Sequence, residues 1–393
     1  MNQLTIPMHK PGSRHSGGFT IVEAMIGLAL SSAIMLGVSQ LFVANSQTYK
    51  LLVGQSMMQE SGRFALGAMA RSVQQAGYRG CFSSNDSLYK TFLVALPYEY
   101  DILNPIVGFD GKTTNWLSAN GTAANALPKS DSPAANVYPG GTGIDHTTIK
   151  KATDIFTSNY LPEKKHQLSS VITPAAAPVY VGTTDFDFVA GELAMIHDCE
   201  KQTVFQISGI TGNAIAHATG GGGVYANTQA GLPAFGDFET DDSYISPIVS
   251  ETYFIAPSST IVAGVKTYNL NKSGLQILSL WRKTGIAEPV ELVDGIEDLQ
   301  VEYGVDSTAD RIPNKYVPAD GIGVSDVVVA VRLTVVANSV DDVGGTSDPT
   351  HYCRGVTYPD GSTYPNGQQC PPDALVDGLL RRTSSQTIAL HNG

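Results

Sequence analysis

Apolar residues run almost unbroken from Phe19 to Ala44 (FTIVEAMIGLALSSAIMLGVSQLFVA) and then narrow to a stripe. A helix needs about 20 apolar residues to cross a bilayer, so the first run is long enough. Past Ala44, the residues Leu51, Leu52, Met58, Phe64, Ala65, Met69 and Val73 recur at three- and four-residue steps. Gln47, Lys50, Gln55, Gln59, Glu60, Arg63 and Arg71 fill the positions between them. That spacing predicts an amphipathic helix. No proline lies between Pro11 and Pro97, so one helix is expected from Phe19 to about Ala76, with Gly77 as its stop. Lys10 and Arg14 precede the apolar run, which puts the N-terminus on the cytoplasmic side of a membrane. A secretory signal peptide is the competing reading. Its apolar core spans about 7–15 residues and ends at a small-x-small site, whereas this run is longer and Phe42-Val43-Ala44 fits such a site poorly.

Beyond Gly77 the helical period is lost. Alternating or β-branched runs bounded by turn residues predict strands at Val179–Val181, Leu193–Ile196, Thr203–Ile210, Thr252–Ala256, Thr267–Leu270, Leu275–Arg282, Gln300–Tyr303 and Val327–Val336. Pro289–Leu299 reads as either a short helix or a lead-in to a strand. Residues 110–148 and 217–236 read as long loops. Gly220–Gly223 has no following lysine or helix start, so it is a loop and not a phosphate cradle. The expected class is α+β. A leader (1–18) precedes a helix (19–76) with an apolar part (19–44) and an amphipathic part (45–76). The helix packs on a largely antiparallel head (77–393) of one lobe or two.

Composition changes this picture in one respect. Charged residues make up 15% of the chain, well under the usual quarter, while glycine is abundant, as in exported proteins rich in strands and loops. The net charge of −12 argues against a general nucleic-acid surface. Cys81, Cys199, Cys353 and Cys370 form no CxxC pair, and in an exported chain they favour disulfides over free thiols. Three pairings are open. Spacing suggests Cys353–Cys370 as a local staple, which leaves Cys81–Cys199.

Glu23 is the one ionisable residue inside the apolar run. An acid there costs several kcal/mol unless it snorkels to the interface or meets a cation. Cleavage before Phe19 would supply one, because the new α-amino group could pair with Glu23 of a neighbouring subunit and set axial register.

Gly17-Gly18-Phe19-Thr20-Ile21-Val22-Glu23 resembles the signal of type IV prepilins and type II secretion pseudopilins. The resemblance implies cleavage after Gly18 by a prepilin peptidase, N-methylation of Phe19, and an assembly role for Glu23. Two further stretches resemble the PilW minor pilins. The first is Gln59-Glu60-Ser61-Gly62-Arg63-Phe64-Ala65 with Ala76-Gly77-Tyr78-Arg79-Gly80-Cys81. The second is Leu292-Val293-Asp294-Gly295-Ile296-Glu297-Asp298-Leu299-Gln300-Val301-Glu302-Tyr303-Gly304. This resemblance spans roughly residues 17–82 and 280–338, and residues 341–372 look like an insertion relative to it. It implies a pilin-like fold and an inner-membrane precursor with a periplasmic head that later joins an extracellular fibre. It implies other minor pilins, the major pilin, the inner-membrane assembly platform and a large tip adhesin as partners. Twitching motility and adhesion follow from the family in the same way. A secretion pseudopilin, or a membrane-anchored periplasmic adhesin or enzyme, are the alternatives.

Little other chemistry stands out. Asp306, Asp310 and Asn314, with Asp320 beyond, place oxygen ligands where a loop could hold calcium, although Arg311 and Lys315 interrupt them and the spacing is not that of an EF-hand. His197 beside Asp198 and Cys199 could form a Cys/His pair, but a disulfide half is the simpler expectation. No HExxH, GxSxG or Walker sequence occurs, so no enzyme and no cofactor are expected.

Overall fold

The helix Ile21–Gln75 realises the long apolar and amphipathic pattern, within two residues of the expected ends. The computed structural model describes residues 18–80, 89–91, 93, 100–112, 116–118, 149–172, 177–219, 226–228, 238–262, 265–343 and 378–390. The leader, Cys81, Cys353, Cys370 and most of 341–372 lie outside the described residues. By its contacts the chain divides after Leu52.

In the first unit the helical side chains from Ile21 to Lys50 are exposed, and by length and composition this stretch can cross a membrane. Several of its hydroxyls bond back along the helix: Ser31 Oγ donates to Gly27 O at 2.8 Å, Ser39 Oγ to Met35 O at 2.8 Å, and Thr48 Oγ1 to Ala44 O at 2.9 Å. Polar groups satisfied within their own helix suit an apolar surrounding.

In the second unit the helix has a buried stripe of Gly54, Met58, Gly62, Ala65, Leu66, Met69, Ala70, Ser72 and Val73. The stripe packs on residues of two sheets, among them Tyr253, Ile255, Leu280, Leu299, Val301, Leu333 and Val335. Burying each large side chain of the stripe stabilises by about 1.5–3 kcal/mol. Small residues set the closeness of approach. A Cβ on Gly54 would lie 3.0 Å from Val343 Cγ1 and 3.1 Å from the Ser339 side chain.

The first of these sheets has six strands in the order Val290–Asp294, Leu278–Thr284, Val249–Pro257, Ile155–Tyr160, Ile106–Gly111 and Trp116–Ser118. The second has four, in the order Lys315–Val317, Ile296–Asp306, Val327–Asn338 and Arg381–Ala389. All pairings in both are antiparallel. Gly295 is where the chain leaves one sheet for the other. Its φ is +73°, and a Cβ would fall 2.9 Å from Val340 Cγ2 and 3.1 Å from Asn338 O, so conformation and space both require glycine. Asp154 stitches the two sheets, since its carboxylate accepts from Gly111 N and Val301 N, each at 2.8 Å. Tyr303 stands in the same core, fully buried, and a Cβ on Gly108 would fall 1.6 Å from its hydroxyl oxygen.

Five other strands form a sheet around Leu193–His197 and three form a smaller one, over a separate core that includes Ile196, Phe205, Ile207 and Ile245. Among the described residues only Tyr89–Thr91 with Gln202–Gln206 is a parallel pairing. The α+β class with a largely antiparallel head therefore holds, and both cores belong to one unit.

Several local expectations change. Thr203–Ile210 is two strands, Gln202–Gln206 and Gly209–Thr211, which belong to different sheets. Pro289–Leu299 is strand on both sides of Gly295. The loop expected at 110–148 contains the strand Trp116–Ser118, because Trp116 is buried and its indole donates to Thr153 O at 2.8 Å. Arg381–Ala389 was not expected as a strand at all. It is held by register with Val327–Asn338 and by Arg381, whose buried side chain donates to Glu297 Oε2 at 2.7 Å.

That ion pair makes a testable expectation. Glu297→Ala leaves Arg381 buried without its carboxylate and should cost about 3–5 kcal/mol in denaturant titration. Replacing both residues by methionine should cost markedly less. Equal losses in the two variants would show that the pair has no energetic role.

Candidate functional site

The bond between Gly18 and Phe19 lies outside regular structure, directly before the helix. Thr20 caps the helix: Glu23 N donates to Thr20 Oγ1 at 3.2 Å and Ala24 N to Thr20 O at 3.1 Å. Thr20 and Glu23 thus stand at N-cap and N3, the spacing of a capping box. A peptidase needs its target bond in extended chain, and Phe19 is 81% exposed. The sequence-predicted residues Gly18, Phe19 and Glu23 therefore fall within one turn of a helix start. Glu23 is exposed, and the next acid along the helix is Glu60. A helix N-terminus already carries about half a positive charge. A free α-amino group there would add a full one, with Glu23 as the nearby carboxylate.

At its other end the helix stops at Gly77, whose φ is +76°. Gly77 N donates to Asn159 O at 2.9 Å, and Leu161 N to Tyr78 O at 2.9 Å, so the exit is tied to the strand Ile155–Tyr160 and its continuation. Arg63 and Arg71 are exposed, and among the described residues neither forms an ion pair, as expected of a solvated helix face.

The candidate calcium residues serve their own loop. Asp306 accepts from Thr308 N at 2.7 Å, Ala309 N at 2.8 Å and Arg311 N at 2.7 Å. These bonds hold its carboxyl below the usual carboxylate range even though burial opposes the shift. Asn314 Oδ1 accepts from Ser307 N at 2.7 Å, and Asp310 Oδ1 from Ile312 N at 2.9 Å. Among the described residues no group of three or more His, Cys, Asp or Glu side chains is placed to hold a metal ion. Asp320 instead lies 2.8 Å from Lys112 Nζ, which also meets Asp110 at 2.6 Å.

Cys199 is disulfide-bonded, which takes it out of a thiolate role. His197 is buried and faces Ser246 Oγ, 3.1 Å from Nε2. Gly80, the last described residue before Cys81, sits against it, and a Cβ there would be 3.3 Å from the imidazole. One feature that the sequence reading missed is a pair of concavities flanking the amphipathic helix. One lies beside Arg382, Ser384 and Gln386, the other beside Tyr160, Glu251, Tyr253 and Arg282. Their strand residues come from distant parts of the chain, so no local signal marks them.

The family model of PilW, Type IV Pilus-assembly protein W, matches residues 252–392. No curated protein and no solved structure matches the chain. The matched span contains the resemblance at 280–338 and most of the strands that receive the helix, while the stretch at 17–82 lies outside it.

His197 gives this region a pH dependence. Burial, with Lys165 nearby, lowers its pKa from 6.5 to about 4. The unfolded chain takes up the proton first, so stability is full above pH 6.5 and falls as pH drops towards 4. The loss from this group is about 3 kcal/mol. Thermal melts from pH 7 to 4 should fall less steeply for His197→Gln than for the wild type. Parallel curves would assign the acid sensitivity to other groups.

Proposed function

We propose that this chain, a PilW-like type IV pilus assembly protein, is a minor pilin that helps to start a type IV pilus and stays at or near its tip. The observation that carries this reading is the helix itself. Its first part is apolar and exposed, with one acid a turn from a cap, and its second part buries a stripe on the head. Such a helix suits insertion first in lipid and then among like helices in a fibre core. The precursor would cross the inner membrane once, with its head in the periplasm, until prepilin peptidase cuts after Gly18 and Phe19 is methylated. Glu23 would then meet the α-amino group of Phe19 on a neighbouring pilin, with the other minor pilins, the major pilin and the assembly platform as partners. Recruitment of a large tip adhesin, adhesion and twitching motility belong to the same proposal. A bulky head is hard to stack repeatedly in a thin fibre, which favours a low-copy place at the tip. We also propose the pairing Cys81–Cys199, supported by the position of Gly80 against His197. It would tie the helix exit to the second core.

Two measurements test this. Mass spectrometry of the protein from cells with and without prepilin peptidase should find a peptide beginning at methylated Phe19 only when the peptidase is present. An unreduced digest should contain a peptide linking Cys81 and Cys199. An intact leader, or a cut near Ala44, would sink the processing route.

A further measurement separates the two roles open to Glu23. Glutamine can still cap a helix but has no charge. Glu23→Gln should be processed normally yet reduce surface pili about as much as Glu23→Ala. Normal piliation with Gln and loss with Ala would make Glu23 a capping residue only.

A further inference from the structure

The strand Arg381–Ala389 ends its sheet. It pairs with Val327–Asn338 through nine consecutive residues with no register shift, so its outer N–H and C=O groups form a regular row. Among the described residues no backbone hydrogen bond reaches the outer edge of Arg382–Ala389. Exposed edges are usually blunted by lysine, proline, a bulge or shortness. From Thr383 to Ala389 this strand has none of these.

The face of the strand beside the helix is polar. Arg382, Ser384 and Gln386 stand opposite Ser56, Gln59 and Arg63, and the two rows border an open groove of about 760 Å³. Arg63 and Arg382 are exposed, and among the described residues neither has an ionic partner. Among the described residues Glu60 is the only acid lining the groove. On a chain of net charge −12 this is a local excess of positive charge next to an unpaired strand edge.

We propose that the edge and the groove together receive an extended acidic segment of a partner polypeptide, which adds to the sheet as a fifth strand. Main-chain hydrogen bonds would supply the affinity, and alternate side chains would supply the choice. In an added strand every second side chain faces the groove, so acids at those positions would lie on the side of Arg382 and Arg63 while the intervening residues face away. The inference rests on the edge and its charges and stands whether or not the N-terminus is processed.

The test uses the full chain in detergent micelles and a fluorescein-labelled peptide of alternating valine and glutamate flanked by threonines. Saturable binding by fluorescence anisotropy is expected. The same peptide with lysine for glutamate should bind at least about tenfold more weakly. Of two peptides N-methylated in opposite phases, only one should keep its binding, because only one set of N–H groups in a strand faces the edge. The double variant Arg63→Glu with Arg382→Glu should reverse the preference towards the lysine peptide. Both sites are exposed, and an unchanged melting curve would verify the fold. The proposal is overturned by no saturable binding up to about 1 mM, a weak limit for a specific contact. It is also overturned by equal binding of the acidic and lysine peptides, by equal behaviour of the two methylated peptides, or by an unaltered preference in the double variant. Self-association of the wild type that the double variant abolishes would place a second copy on the edge and would likewise overturn it.

Discussion

The head depends on how closely one helical stripe can approach two sheets at once. Gly54, Gly62, Ala65, Ala70 and Ser72 keep the helix surface thin, while Met58, Leu66, Met69 and Val73 fill the space between the sheets. A helix with larger residues at the first set would stand off and leave the second set short of contacts, and dispersion falls steeply with such gaps. The sheets are themselves arranged around this stripe. Gly295 passes the chain from one to the other, and Asp154 bonds the backbone of both. The helix is therefore the common wall of the two sheets, which is why its amphipathic half belongs to the head and its apolar half does not need it.

Many of the described carboxylates have internal work. Asp154 joins sheets, Glu297 neutralises the buried Arg381, Asp306 closes a loop through its amides, and Glu251 receives Tyr253 and Arg282. Such acids are not evidence of ligand chemistry, since their lone pairs are already used. Glu23 differs in kind. It is exposed on an apolar helix, and among the described residues its hydrogen bond is through its backbone N–H, with no ion pair to its side chain. Arg63, Arg71 and Arg382 differ in the opposite sense, as cations exposed without ionic partners among the described residues.

The helix, its cap and its glycine stop were legible in the sequence because they follow from contacts between residues one to four apart. Phe19 to Ala44, Thr20 with Glu23, and Gly77 each carry their own local signal. Strands with β-branched runs, such as Val327–Asn338, were legible for the same reason, as was the cluster of family residues around Asp294–Tyr303. The strand Arg381–Ala389 was not. Its residues RRTSSQTIA lack apolar alternation, and its conformation is imposed by pairing across the sheet and by a salt bridge to a residue 84 positions away. Trp116 was lost in a stretch of loop-like composition because its burial depends on Thr153 and on the core beyond it.

The sequence by itself thus determined the long helix, its cap, its glycine stop and the acid one turn inside its start, since each is a property of a short continuous segment. Only the tertiary structure decided that Gly295 is fixed by crowding. It alone turned Asp306 inward on its own loop, and it alone brought Arg63 and Arg382 to opposite walls of one groove beside an open strand edge. Those outcomes depend on distances between residues far apart in the chain, which are set when the helix stripe settles between the two sheets and are not encoded in any local pattern.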